Sequence, residues 1–203
     1  MRTKQPLIMI SPENITKYNR TQSELEEFLL FSIMVAGKSS KQTAQKLESF
    51  LFATLGMISP LTWIQNLVKI KENNISSTDP LMVCMKNHKL GQYNRLFSAF
   101  TGVLQFKDKL DSVTVQELES INGIGPKTAR FFVLHSRENQ RLAVLDTHIL
   151  KWMKSMGYNV PKTTPSKKAY SKIEVDFLNE CDKAGRSPAE MDLEIWKSFA
   201  NKK

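Results

Sequence analysis

Apolar residues recur at helical spacing along most of the chain. Between residues 22 and 36, Leu25, Phe28, Leu29 and Ile33 form one stripe, with Thr21 or Ser23 placed to cap its start. Gly37-Lys38-Ser39-Ser40 makes a turn, and Ala44, Leu47 and Leu51 resume the period over 41–54. Pro60 suits a first helical turn and opens a third helix through Trp63, Ile64 and Leu67. Residues 71–80 read as a polar loop, and the pattern assigns no element to 81–88. Helices are expected again at 91–106, through Tyr93, Leu96, Phe97 and Phe100, and then at about 113–121, 126–136, 147–156, 166–183 and 188–200. Leu7-Ile8-Met9-Ile10 is the one strand candidate. The fold class is therefore all-α.

Composition narrows the function. With 41% hydrophobic residues among 203, the chain can bury the core of one domain or of two small lobes. Lys and Arg outnumber Asp and Glu by 29 to 20, a net charge of +9. That excess fits a polyanionic partner, although a solvated basic surface gives the same count. No apolar run reaches the ~18 residues of a membrane span, and the N-terminus lacks a secretory apolar segment. The expected location is intracellular: cytoplasmic or nucleoid-associated, or nuclear in a eukaryote. Cys84 and Cys181 stand apart and read as small core residues, too few for a four-cysteine iron–sulfur cluster. His88, His135 and His148 show no metal-ligand spacing, so neither metal nor cofactor is expected.

The chemistry concentrates in residues 121–148. Gly123 and Gly125 flank Ile124 between two helical patterns, and Pro126 fits the first turn of the second helix. Free N–H groups at that helix start make an anion site, and a DNA phosphate suits it. A Gly-x-Gly pair alone is equally an ordinary helix-to-helix turn. Lys127 follows the turn, and Asp146 comes 19 residues later, placed so that both can converge on one sugar carbon.

Asn122-Gly123-Ile124-Gly125-Pro126-Lys127-Thr128-Ala129, followed by Leu145-Asp146-Thr147-His148, resembles the helix-hairpin-helix and aspartate signature of the endonuclease III superfamily of DNA base-excision glycosylases. Lys127 stands where the bifunctional glycosylase/lyases carry lysine. Glu190-Met191-Asp192-Leu193-Glu194-Ile195-Trp196, after the helix-like run 166–181, resembles the end of the archaeal-type (type 2) 8-oxoguanine DNA glycosylase/AP lyases. The likeness covers 115–203 well and the first hundred residues in outline. It implies a two-lobed helix-hairpin-helix DNA glycosylase fold with an interlobe cleft. Residues 1–203 would form a single domain, with lobes at approximately 38–120 and at 1–37 plus 121–203. It also implies a monomer acting on double-stranded DNA that contains a damaged base, with 8-oxoguanine the expected lesion.

A base inside a duplex is out of reach, so its nucleotide must be turned out of the stack. Lys127 would attack C1′ as a neutral amine, and Asp146 would stabilise the oxocarbenium character of the sugar. Outside that role, Lys127 is a phosphate-binding or surface lysine, and Asp146 is an N-cap; the capping role is compatible with catalysis. Asn122, Gly123, Ile124, Gly125, Thr128 and His148 are the expected DNA-binding residues, with Arg130 either a phosphate donor or turned to solvent. Trp152 and Trp196 are candidates to stack on an extruded base, or core residues; Lys203 is a candidate for recognising it, or part of a frayed tail. The Gly37 corner matches a family element that faces DNA, but glycine has no side chain to fill a vacated stack. Two rivals stay open: the same chemistry on another oxidised or modified base, and a helix-hairpin-helix DNA-binding protein without catalysis.

Overall fold

The computed structural model describes residues 10–12, 15–54, 58–73 and 78–200, all helices and connections; no strand occurs among them. Leu7–Met9, most of the expected strand, lie outside the described residues. The helices are α1 (Gln22–Met34), α2 (Ser40–Leu51), α3 (Pro60–Asn73), α4 (Pro80–Asn87), α5 (Tyr93–Gly102), α6 (Val115–Glu119), α7 (Pro126–Ser136), α8 (Thr147–Ser155), α9 (Lys167–Ala184) and α10 (Pro188–Ala200). Short 3₁₀ turns cover Phe52–Thr54 and Val103–Lys109.

Two compact units divide the chain. The first holds the described residues up to Ile15 together with Asn19–Ile124; the second holds Thr16–Tyr18 and the described residues from Gly125 onward. The lobe boundaries expected from the sequence assign 1–37 to the C-terminal unit. Packing assigns α1 to the first unit, because α1 is buried almost all round against α2, α3 and α5. Thr21 starts α1 with a capping box: its hydroxyl accepts from Glu24 N–H, and the Glu24 carboxylate accepts from Thr21 N–H. Phe28, Phe31, Phe50 and Phe100 are fully buried in this unit, and the Phe50 ring meets Trp63 edge-on at 4.7 Å.

Two local outcomes differ from the pattern reading. Residues 80–87 are helical: the Asp79 side chain accepts from Met82 N–H at 3.0 Å, Pro80 occupies the first turn, and Leu81 and Met85 anchor one face. The helix expected over 91–106 ends at Gly102, where a Cβ would lie 2.5 Å from Ile121 Cγ2. The chain tightens there into a 3₁₀ turn that buries Val103 and Phe106.

The second unit is built on α7–α10. Leu145, Ile149, Leu150 and Met153 from around α8 pack with Tyr170, Ile173, Phe177 and Cys181 of α9 and Met191 and Ile195 of α10. Cys181 is thus a core residue, as expected, and Cys84 is half-buried; neither is in a disulfide.

Candidate active site

The hairpin is assembled from α6, the turn at 120–125 and α7. Thr114 and Glu117 close a capping box at the start of α6. Gly123 has φ +95, and a Cβ there would lie 2.6 Å from the Arg95 carbonyl oxygen, so only glycine fits. The Arg95 guanidinium donates to Gly123 O and Ile33 O, both at 2.9 Å, and to Gln92 Oε1 at 2.8 Å. Arg95 thereby ties the turn to the end of α1. Sequence reading missed it, because an arginine on α5 carries no local sign of a partner 28 residues away. Ile124 is buried, and Asn122 is exposed. Gly125 is different from Gly123: its φ is an ordinary −99, and a Cβ there would meet nothing within 4 Å. It is the N-cap of α7, with Pro126 next, so the following N–H groups lack an intrahelical acceptor. The Thr128 side chain is buried, which leaves its backbone N–H as the available donor.

Asp146 is held with particular rigidity. It caps α8: its Oδ1 accepts from His148 N–H at 2.8 Å and Ile149 N–H at 2.9 Å. The extended segment that delivers it is clamped by α9. The Tyr170 hydroxyl donates to Ala143 O at 2.8 Å and accepts from Leu145 N–H at 2.9 Å. Glu174 Oε1 accepts from Ala143 N–H at 2.9 Å, and both Glu174 oxygens accept from Arg130. The Arg130 guanidinium also lies 4.4 Å from the centroid of the Tyr170 ring. Arg130 therefore belongs to this clamp; the sequence reading had it either on phosphate or in solvent.

Lys127, Asp146 and Asp192 share one electrostatic environment within the second unit. Lys127 is half-buried, and desolvation of its ammonium lowers its pKa; the fields of Asp146 and Asp192 oppose this. The Asp146 carboxyl is raised, first by burial and then by the charge on Asp192, while the Ile149 N–H and Lys127 pull it down. Lys127 Nζ also stands 5.3 Å from the Phe131 ring centroid. A desolvated amine beside a rigid carboxylate can do covalent chemistry at an electrophilic carbon.

Asp192 was read from sequence only as part of a family-like stretch. It is 7% exposed, and its Oδ2 lies 3.1 Å from His135 Nε2, whose ring is fully buried on α7. The sign was available: Ala189, Asp192 and Ile195 repeat at helical spacing, an acid on an apolar face.

The remaining candidates scatter. His148 sends its backbone N–H to Asp146, while its ring sits 5.7 Å from Phe199 with a buried Nδ1 that has no hydrogen-bond partner among the described residues. Trp152 packs edge-on against Phe177, ring centroids 6.1 Å apart, as a partner of the core. Trp196 is half-buried on α10, and Lys203 lies outside the described residues.

Residues 13–186 match the family model described as 8-oxoguanine DNA glycosylase. The chain is 29% identical over 113 residues to the 8-oxoguanine DNA glycosylase/AP lyase of Picrophilus torridus, covering 51% of this chain and 54% of that protein. It is 37% identical over 81 residues to the protein of the same description from a Thermotoga species, covering 39% and 38%. The matched stretches thus span about half the length of these curated relatives or less. Among solved structures, the Methanocaldococcus jannaschii 8-oxoguanine glycosylase/lyase, crystallised with a 15mer DNA containing 8-oxoguanine, superposes with a TM-score of 0.65 at 21% identity, covering 91% of this chain and 84% of that one. The 8-oxoguanine DNA glycosylase of Thermotoga maritima gives 0.62 at 22%, covering 87% and 79%. At such identities these likenesses speak for the fold, which is the two-lobed helix-hairpin-helix architecture.

Proposed function

We propose that this chain, which belongs to the 8-oxoguanine DNA glycosylase family, is a base-excision repair glycosylase with AP lyase activity that removes 8-oxoguanine from duplex DNA. The observation that carries the reading is that Lys127 and Asp146, each at a helix start of the second unit, are partly desolvated and feel each other's charge, in a chain of net charge +9. A hairpin that only gripped phosphate would need neither group. The first turn of α7 serves as the phosphate anchor, through backbone N–H groups beside the open Gly125.

In this mechanism the neutral Lys127 amine attacks C1′ of the extruded nucleotide. The bond from C1′ to the base breaks and the base departs with the electron pair. Asp146 remains ionised beside the sugar and stabilises its positive charge. Opening of the sugar ring leaves a Schiff base between Nζ and C1′. Loss of a C2′ proton then expels the 3′ phosphate by β-elimination, and water releases the enzyme. Burial assists the first step, since it favours the amine over the ammonium. A genomic substrate would place the activity inside the cell; no helix among the described residues is long and apolar enough to cross a membrane.

The test is a set of duplexes, each with one lesion, scored for strand nicking and for borohydride cross-linking. The 8-oxoguanine duplex is expected to be nicked and cross-linked, and Lys127→Ala to abolish the cross-link. A wild-type cross-link yield in Lys127→Ala, or no nicking of any lesion duplex, overturns the reading.

A further inference from the structure

Residues 147–173 hold six lysines, at 151, 154, 162, 167, 168 and 172, and no aspartate or glutamate. Their charge amounts to two thirds of the net +9 of the whole chain, and the proposed reaction uses none of it. Four of the six, Lys162, Lys167, Lys168 and Lys172, are exposed along the start of α9 and the loop before it. Lys168 and Lys172 lie one turn apart on the same face of α9, and Val175, 56% exposed, continues that face to solvent. Tyr170, Ile173, Phe177 and Cys181 occupy the opposite, buried face. Among the described residues, no ion pair holds Lys162, Lys168 or Lys172.

The stability of α9 does not explain this placement. A helix start carries partial positive charge, so acids steady it and cations belong at the far end. In α9 the first turns hold Lys167, Lys168 and Lys172 and no acid, while Glu174, Asp176, Glu180 and Asp182 follow toward the C-terminus. That order is the reverse of the stabilising one, and an anion bound from outside the chain would offset it. Direct contacts place this surface beside the hairpin helix. The Arg130 guanidinium donates to Pro126 O in the first turn of α7 at 3.4 Å, and to the two Glu174 oxygens at 2.8 and 3.1 Å. Glu174 lies two residues beyond Lys172. Tyr170, midway between Lys168 and Lys172, bonds the backbone of Ala143 and Leu145 just ahead of Asp146. One arginine side chain thus spans from the proposed phosphate anchor to the lysine-bearing part of α9. Duplex DNA carries a charge at every ~1.7 Å of its axis, so a duplex held at that anchor offers further phosphates to these lysines.

We propose that Lys162, Lys168 and Lys172 grip the phosphate backbone of the duplex flanking the lesion, as a docking surface for the DNA arm that takes no part in the chemistry. This rests on the glycosylase reading above for the identity of the polyanion. Contacts of this kind carry no base information, so they add affinity whatever the flanking sequence. Their signature is the salt dependence of binding rather than the rate of excision.

The experiment titrates the full chain against a fluorescent duplex with one tetrahydrofuran abasic-site analogue, which the lyase step cannot cleave, over a range of KCl concentrations. Combining Lys162→Gln, Lys168→Gln and Lys172→Gln is expected to flatten the plot of log Kd against log[KCl] by about 2–3, roughly one for each lost phosphate contact. A control combining Lys69→Gln, Lys86→Gln and Lys183→Gln removes the same charge from other exposed positions and is expected to keep the wild-type slope. The first variant is also expected to melt no lower than the wild type, since it takes cations away from a helix start. Its single-turnover excision at saturating enzyme is expected to match the wild type. An unchanged slope in the first variant, or equal flattening by the control, overturns the proposal. A lower melting temperature assigns the lysines to the fold, and a slower saturated turnover assigns them to the reacting site; either result overturns it as well. A wild type that binds duplex with a steep slope yet nicks no lesion overturns the catalytic reading and leaves this surface standing, so the two failures are distinct.

Discussion

Tyr170→Phe deletes one oxygen atom at the clamp behind Asp146. The hydroxyl is buried with the rest of the side chain, which is 1% exposed, and it bonds Ala143 O and Leu145 N–H at 2.8 and 2.9 Å. Ala143 and Leu145 are themselves fully buried, so water cannot replace the lost partner. Each orphaned buried group costs ~1–3 kcal/mol, which gives roughly 2–6 kcal/mol for the pair. At about 2–4 °C per kcal/mol for a chain of this size, the melting temperature should fall by roughly 4–24 °C. Asp146 follows Leu145 directly, so a loosened backbone also misplaces the carboxylate, and excision should fall about tenfold. Melting by circular dichroism and single-turnover excision check both numbers. Tyr158→Phe is the control: its hydroxyl meets Glu180 at 2.5 Å near the surface, and its loss should change little. If Tyr170→Phe and Tyr158→Phe melt alike, Tyr170 is not the brace described here. If Tyr170→Phe melts lower but excises at the wild-type rate, the brace supports the fold without positioning Asp146.

Asp146→Asn keeps an oxygen for the two capping N–H groups, so melting should hardly move while excision drops at least ~10²-fold; normal excision would make the carboxylate purely structural. Gly123→Ala should lower the melting temperature, because φ +95 and the Arg95 carbonyl at 2.6 Å exclude a Cβ. Gly125→Ala should melt as the wild type yet bind lesion and undamaged duplexes equally more weakly in a filter-binding titration. That binding should also weaken steeply with salt, through counterion release. Glu27 has its pKa raised to about 7 by burial, with Glu24 and Glu48 adding to it. The folded state thus holds a proton that the unfolded chain releases near pH 4.5, and stability falls as pH rises from there to about 7. Glu27→Gln should therefore stabilise the chain at pH 8, by on the order of 2 kcal/mol, and leave it unchanged at pH 4.

The sequence was most legible where local chemistry and periodicity agree. The hairpin glycines, Pro126 and the α7 pattern are all local signals, and the structure has the turn and helix there. Thr21 as a cap belongs to the same class, since its partner Glu24 lies one turn away. The helix at 80–87 was hidden because Asp79-Pro80 is both a loop ending and a helix start, and only Leu81 and Met85 mark its buried face. The membership of α1 was hidden for another reason. Its stripe shows that it is buried but not against which helices, and contacts with α2, α3 and α5 decide that.

The candidate site divides along the same line. Lys127 and Asp146 stand out in the sequence because each begins a helix beside a recognisable turn. Other contacts of the same unit join residues far apart in sequence: Tyr170 bonds a backbone 25 residues back, and Asp192 meets His135 across 57 residues. Each was nonetheless marked by a polar side chain at a position where the helix pattern calls for an apolar one. Thr128, Phe132 and His135 share a face of α7, as Ala189, Asp192 and Ile195 do on α10. A largely buried acid and a fully buried imidazole on apolar helix faces each call for a hydrogen-bond partner, and here they meet each other. That requirement, rather than any motif, would have paired His135 with Asp192.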